Sequence, residues 1–311
     1  MLVRLRFLFF AFWLGFTVEA GAYAAPAVVI LSGERSAAYV EAARALVGEL
    51  ERSGLSRSDM LELTPLELSA AGSLTPKLFV ALGTEAANVL AKTDPRAPVL
   101  CALLPRSSFE QALRTSGRKS SSQFSALYLD QPLSRQLDLV RMALPTARRV
   151  GVLWGPESQG QAPALKGLAQ ARGLELVEAT VERNEPIFRD LNGVLENADL
   201  LLAVPDAQLF NSGSIQNILL ASFRARVPLV AFSPAYVRAG ALLALYVTPT
   251  QVGLQAAAIT RGVLEGKPLA ATPIYSQDFS VAVNEHVARS LGLTLEPEVL
   301  RARMRRREGA L

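Results

Sequence analysis

Short, wholly apolar runs alternate along this chain with amphipathic stretches of ten to fifteen residues. That alternation leaves few folds open. An apolar run of four to eight residues reads as a strand buried on both faces, and strands alternating with helices read as βαβ units on a parallel sheet. The first run is Ala27 to Ser32, stopped at Gly33. A helical pattern follows from Ser36 to Arg52, with Val40, Ala43, Leu46, Val47 and Leu50 on one face. Strands follow at Met60 to Leu63, Leu78 to Leu82, Pro98 to Leu104 and Phe124 to Leu129. Thr84 is placed to cap a helix from Glu85 to Lys92.

The pattern then restarts. Leu133 to Leu144 reads as a helix closed by Pro145, and Arg149 to Trp154 as a strand ending at Gly155-Pro156. Strands are expected at 174–180, 199–204, 228–232, 241–246 and 279–283. Helices are expected at 162–172, 187–196, 215–225 and 249–264, with Asn284 capping a last one through Leu291. Two βα series of similar size, without detectable identity between them, predict an α/β protein with two Rossmann-like lobes on parallel central sheets. Thr115 to Ser122 is the most linker-like stretch and is expected to be an exposed loop.

The N-terminus predicts export. Arg4 and Arg6 precede an apolar run from Phe7 to Val18, then Ala22-Tyr23-Ala24 supplies the small-x-small pattern of a signal peptidase site. The run of about 12 residues is shorter than the roughly 20 a bilayer-spanning helix needs. Residues 1–24 are therefore expected to be a cleavable signal peptide. The single cysteine, Cys101, lies far from that site, so lipid attachment there is not expected. It sits in an apolar run and is expected to be a buried strand residue.

Charge separates two regions. The formal net charge is +4, and removing residues 1–24, with two Arg and one Glu, leaves +3. Arg301, Arg303, Arg305, Arg306 and Arg307 against Glu308 carry +4 of that, so the body is about −1 and is not suited to nucleic acid. The Arg-rich end reads as a solvated tail, with contact to anionic headgroups as the alternative.

Catalytic signals are missing. His286 is the only histidine and is expected at the surface. There is no G-x-S-x-G elbow, no phosphate loop with G-K-[ST] and no G-x-G-x-x-G fingerprint. No cofactor and no metal are expected. The open sheet of each lobe still offers a ligand crevice beyond its carboxyl strand ends, and two facing lobes can close around a small molecule.

Several segments carry a resemblance: Phe79-Val80-Ala81-Leu82-Gly83-Thr84-Glu85-Ala86, Ala143-Leu144-Pro145-Thr146-Ala147-Arg148-Arg149-Val150-Gly151-Val152-Leu153, and Arg226-Val227-Pro228-Leu229-Val230-Ala231-Phe232. Tyr236-Val237-Arg238-Ala239-Gly240, Gly253-Leu254-Gln255-Ala256-Ala257 and Val263-Leu264-Glu265-Gly266-Lys267-Pro268 continue it. In this order the chain resembles the substrate-binding proteins of ABC transporters with the type I periplasmic binding fold, in the group that includes tryptophan- and tyrosine-binding members. The resemblance implies a periplasmic receptor, not an enzyme, that binds an amino acid-like molecule between the lobes and delivers it to an ABC permease in the inner membrane. A module that reports its ligand to a membrane receptor or sensor kinase is the alternative. It also implies a discontinuous division: 25–131 plus about 248–274 in lobe one, 132–247 plus about 275–295 in lobe two, and 296–311 as a basic tail. Leu103 to Ser108 and Gln123 to Tyr128 depart from the family's usual Asp-Pro-Val-Gly and Gly-rich stretches.

Ligand contacts are expected at the strand ends: Glu34, Arg35, Gly83, Thr84 and Arg106 from lobe one, and Trp154, Asp206, Ser233 and Tyr236 from lobe two. Helix-start N–H groups at Gly83-Thr84 suit a carboxylate. Asp206 suits an ammonium, and Trp154 or Tyr236 a ring. Each also has a structural reading: Trp154 as a core aromatic, Gly83-Thr84 as a turn and cap, Asp206 as a helix cap or hinge residue, and Tyr236 as cover for the cleft floor.

Overall fold

A computed structural model of the chain describes residues 26–33, 36–72, 74–182 and 185–309. The expected signal peptide and the candidates Glu34 and Arg35 lie outside the described residues.

The first series folds as β1 (Val28–Ser32), α1 (Ala37–Arg52), β2 (Met60–Leu63), α2 (Pro65–Ala70), β3 (Leu78–Leu82), α3 (Gly83–Thr93), β4 (Val99–Leu104), α4 (Arg106–Ser116) and β5 (Phe124–Tyr128). The second is α5 (Leu133–Ala143), β6 (Arg149–Trp154), α6 (Ala162–Gln170), β7 (Glu175–Thr180), α7 (Ile187–Leu195), β8 (Leu200–Leu202), α8 (Ile215–Ala225), β9 (Leu229–Ala231), α9 (Pro234–Ala239) and β10 (Leu243–Tyr246). The chain ends with α10 (Pro249–Leu264), β11 (Ile274–Tyr275), β12 (Ser280–Val283), α11 (Glu285–Ser290) and α12 (Pro297–Glu308).

Two six-stranded sheets result, ordered β11-β5-β4-β3-β1-β2 and β12-β10-β9-β8-β6-β7. They share one winding, and every pairing is parallel except β10 with β12. The apolar strand runs are explained by burial on both faces: β3, β4 and β5 are buried at every position. The chain passes between the sheets three times, after β5, after β10 and between β11 and β12. The second passage brings α10 back onto α1, where Val252, Ala256 and Ala257 share a core with Ala42, Ala43 and Leu46. Gly253 lets the helices meet closely, since a Cβ there would lie 2.8 Å from the Ala45 Cβ and closer still to the Ala42 carbonyl.

At Thr115 to Ser122 the first two residues end α4, and the rest is a partly exposed loop that returns the chain to β5 of the same sheet, with Arg118 lying 4.7 Å over the Phe124 ring. One expectation is corrected: the Arg-rich end is not a solvated tail. It forms α12, whose Leu300 and Met304 enter the lobe-two core. The buried Phe279 ring carries two guanidinium groups over it, Arg135 at 4.7 Å and Arg305 at 4.5 Å. Arg305 pairs with Asp278, Arg307 with Asp138, and Glu308 with Arg135. Two of the five arginines, Arg305 and Arg307, thus fasten the helix to acidic partners outside it, while Arg301 pairs with Glu298 within it.

Candidate functional site

Both sheets turn the carboxyl ends of their strands toward one cavity of about 440 Å³. The loops after β3, β4, β6, β8 and β9 all reach it. This is where an open parallel sheet leaves room for a ligand.

One wall comes from lobe one: Thr84 and Asn88 of α3, and Pro105, Ser107, Ser108, Gln111 and Arg114 at and beyond the start of α4. Helix starts leave N–H groups without intrahelical acceptors. The residue before α3, Leu82, offers no side-chain cap. At α4 the Asp130 carboxylate takes the Arg106 N–H at 2.6 Å, while Ser107 and Ser108 face the cavity. The strand leading to α4 is kinked. Leu103 has φ +56°, a conformation that costs most residues energy, and the β4–β5 register shifts between Cys101 and Leu104. That shift re-aims Pro105 and the helix start.

Lobe two supplies the opposite wall: Pro156 and Glu157 after β6, Pro205 to Gln208 and Phe210 after β8, and Phe232 after β9. The Phe210 and Phe232 rings meet edge to face at 6.0 Å, and Phe232 meets Tyr236 at 5.3 Å. One wall is therefore rich in donors, and the other combines an aromatic corner with acidic side chains.

The candidates named from sequence divide accordingly. Thr84 and Asp206 line the cavity. Gly83 stands at the α3 start with φ +87°. Asp206 is 3 % exposed, and its carboxylate accepts four hydrogen bonds: from the N–H groups of Glu157, Ser158 and Gln208, each at 3.0 Å, and from the Ser158 hydroxyl at 2.9 Å. Those bonds organise the loops after β6 and β8. Gly155 makes room for the carboxylate, as a Cβ there would lie 2.5 Å from Oδ2.

Trp154 is 2 % exposed, sits in the lobe-two core and donates its indole N–H to Glu178 at 2.7 Å. It does not line the cavity. Neither does Arg106, whose guanidinium turns to Glu110 at 2.6 Å and the Tyr275 hydroxyl at 3.4 Å. Burial alone would lower its pKa, but Glu110 and Tyr275 outweigh that and keep it charged. Ser233 caps α9 by accepting the Ala235 N–H. Tyr236 donates its hydroxyl to the Phe210 carbonyl at 3.0 Å and buttresses both phenylalanines from behind; burial raises its pKa.

Sequence reading missed Ser107, Ser108, Glu157, Phe210 and Phe232. Glu157 and Phe210 follow strands by three and eight residues, and only the tertiary fold shows which side chain turns inward. For Trp154 a signal existed. Period two puts Trp154 on the same strand face as Val150 and Val152, with which it shares one core cluster, while Leu153 on the other face enters another.

Among the described residues no helix is long and apolar enough to cross a membrane, and no group of three or more His, Cys, Asp or Glu could hold a metal ion. His286 is exposed beside Arg289.

Comparison with known proteins agrees with this architecture. The family model described as "ABC transporter substrate binding protein" matches residues 72–305. A tyrosine-binding protein of Clostridioides difficile (strain R20291) is 22 % identical over 165 residues, 52 % of this chain and 47 % of that protein, so the match spans about half of the relative. Among solved structures, a ligand-free, open substrate-binding protein with adhesive properties from Clostridium difficile superposes with TM-score 0.68 at 18 % identity, covering 86 % of this chain and 95 % of that one. A Streptococcus pneumoniae ABC domain in complex with L-Trp gives TM-score 0.59 at 17 % identity over 88 % and 97 % of the two chains. A conserved domain protein of Vibrio cholerae gives 0.61 at 20 % over 90 % and 98 %. These similarities show the fold, and the family is one of binding proteins, not enzymes. The chain belongs to the ABC transporter substrate-binding protein family.

Proposed function

We propose that this protein is the periplasmic receptor of an ABC importer and that it binds a zwitterionic, amino acid-like molecule in the 440 Å³ cavity. The observation that carries this reading is the division of the cavity walls. Thr84, Ser107 and Ser108, at two helix starts, suit a carboxylate. Across from them Glu157 suits an ammonium, and the corner of Phe210 and Phe232 suits an apolar or aromatic side chain. The relatives named for tyrosine and L-Trp have the same kind of ligand. Residues 1–24, with Arg4, Arg6 and Ala22-Tyr23-Ala24, support export through a cleaved signal peptide.

A thermal-shift screen of the twenty L-amino acids at millimolar concentration tests the reading. A ligand at 100 times its Kd adds about 2.7 kcal/mol to the native state, several degrees in Tm for a chain of this size. At least one amino acid should raise Tm in this way, with L-Trp and L-Tyr tried first. No shift from any of them would overturn the ligand class. Co-purification from detergent-solubilised membranes should yield a permease. Recovery of a sensor kinase instead would replace transport with signalling.

A further inference from the structure

Arg106 was expected to touch ligand, yet its side chain points away from the cavity and into a cluster at the crossings between the lobes. β5 ends at Tyr128, and Asp130 opens the first crossing; Tyr275 ends β11 and opens the third. Tyr275 lies beside Tyr128 in parallel register, their rings edge to face at 5.4 Å. Into this junction α4 sends the Arg106 N–H, bonded to Asp130, and the Arg106 guanidinium, which spans Glu110 and the Tyr275 hydroxyl. The next two residues of α4, Ser107 and Ser108, line the cavity. One helical turn therefore touches the candidate ligand site on one side and two interlobe crossings on the other.

We propose that Arg106 and Asp130 are a positioning pair, coupling the cavity wall at the start of α4 to the interlobe crossings and making the lobe-to-lobe arrangement depend on pH. Burial disfavours the charged carboxylate, so a neutral Asp130 keeps the start of α4 against the first crossing, accepting the Arg106 N–H. Ionisation leaves there a buried charge that the Arg106 N–H only partly offsets, and that frees the turn. The groups facing Asp130 are Arg106 and Glu110 of α4 and Tyr128 of β5, with Tyr275 of β11 touching Arg106 and Tyr128 in turn. Burial first, and Glu110 after it, raise the Asp130 carboxyl to about 6, against the pull of the Arg106 N–H, its own backbone N–H and the Arg106 charge. The pair thus changes state near neutrality. The ligand-affinity consequence rests on the proposed function; the conformational one does not.

The test is the interlobe distance distribution of the ligand-free full chain, read by double electron–electron resonance between spin labels at Lys92→Cys and Lys166→Cys. Both positions are exposed, one on each lobe, while Cys101 is buried with its thiol pKa pushed up and escapes labelling. Between pH 5 and pH 8 the distribution should broaden with a midpoint near 6. Asp130→Asn, permanently neutral, should hold the narrow form at every pH. Glu110→Gln removes the neighbouring negative charge and should move the midpoint down, a displacement that a merely structural role would not produce. A distribution that does not change between pH 5 and 8, or one that still titrates in Asp130→Asn, overturns the proposal. If the Asn variant does not fold, an unmoved midpoint in Glu110→Gln overturns it instead. A parallel titration with L-Trp separates the two readings. Distances that respond to pH without L-Trp or L-Tyr binding sink the ligand class and leave the pair standing, while binding without a pH response does the reverse.

Discussion

Gly83→Ala is the sharpest perturbation of the site's framework, because two independent costs meet there. The residue has φ +87°, where a side chain is strained by about 1–2 kcal/mol. Its missing Cβ also leaves space occupied by Tyr39: an added Cβ would lie 2.7 Å from Cζ and closer still to Cε1 and the hydroxyl. Forcing a side chain out of such a contact costs about 1–3 kcal/mol. The variant should therefore lose about 2–5 kcal/mol, a large share of the 5–15 kcal/mol typical of a folded domain. Urea unfolding measures the loss, and a double-mutant cycle with Tyr39→Ala divides it. In the Tyr39→Ala background only the backbone cost of about 1–2 kcal/mol should remain, since the obstructing ring is gone. The steric argument fails if Gly83→Ala costs the same in both backgrounds. Both arguments fail if it costs less than about 0.5 kcal/mol in the wild type, the ordinary scatter of a neutral surface change. Because Thr84 follows immediately and lines the cavity, any shift of the α3 start should also weaken whatever ligand the cavity holds.

Other expectations follow from named contacts. Leu300→Ala in α12 should destabilise the protein by about 2–5 kcal/mol by chemical denaturation, because the side chain is 4 % exposed within the lobe-two core; a solvated tail would show no change. Asp206→Ala strips an acceptor from four donors and should cost roughly 3–5 kcal/mol, with Asp206→Asn milder, by the same measurement. Asp199 and Asp130 should tilt the pH–stability curve in opposite directions. For Asp199 burial alone would raise the pKa, but the N–H groups of Arg149 and Arg148 and the Arg149 guanidinium outweigh it and lower the carboxyl below its ordinary value. Its stabilisation is thus present above about pH 4 and lost as pH falls further, and Asp199→Asn should flatten that acid limb. The Asp130 carboxyl is raised to about 6, so the folded state holds its proton more tightly and stability falls as pH rises from about 4 to about 6. Asp130→Asn should remove that slope, read by unfolding at half-unit pH steps.

How far the sequence could be read depends on where each segment's partners lie. Strands such as Val28–Ser32 and Leu78–Leu82 were legible because burial on both faces demands an unbroken apolar run, a local property. Helices α4 and α12 were not, because their stabilisation is remote. Only Phe109 and Ala112 of α4 are fully buried, its N-terminus follows a proline, and its cap is Asp130, 24 residues downstream. In α12 the Arg residues hide a two-residue core stripe, Leu300 and Met304, and find Asp278 and Asp138 on other elements.

The site obeys the same logic. A strand end announces itself by a glycine or proline, so the positions of the walls could be foreseen. Which side chain faces inward is settled by strand parity and by contacts across the fold, and that exchanged Trp154 for Phe210 and Phe232, and turned Asp206 from a free carboxylate into the knot of two loops. Arg106 shows the consequence for function. Its place directly after a strand end suggested a ligand contact, and the structure turns it toward the crossings instead. The departure of Leu103 to Ser108 from the family's pattern thus falls on a single turn that includes the strained Leu103, two cavity-lining serines and the arginine facing the crossings. On the proposed function and the proposed Arg106–Asp130 pair, a change there alters ligand choice and lobe movement together while both sheets keep their order.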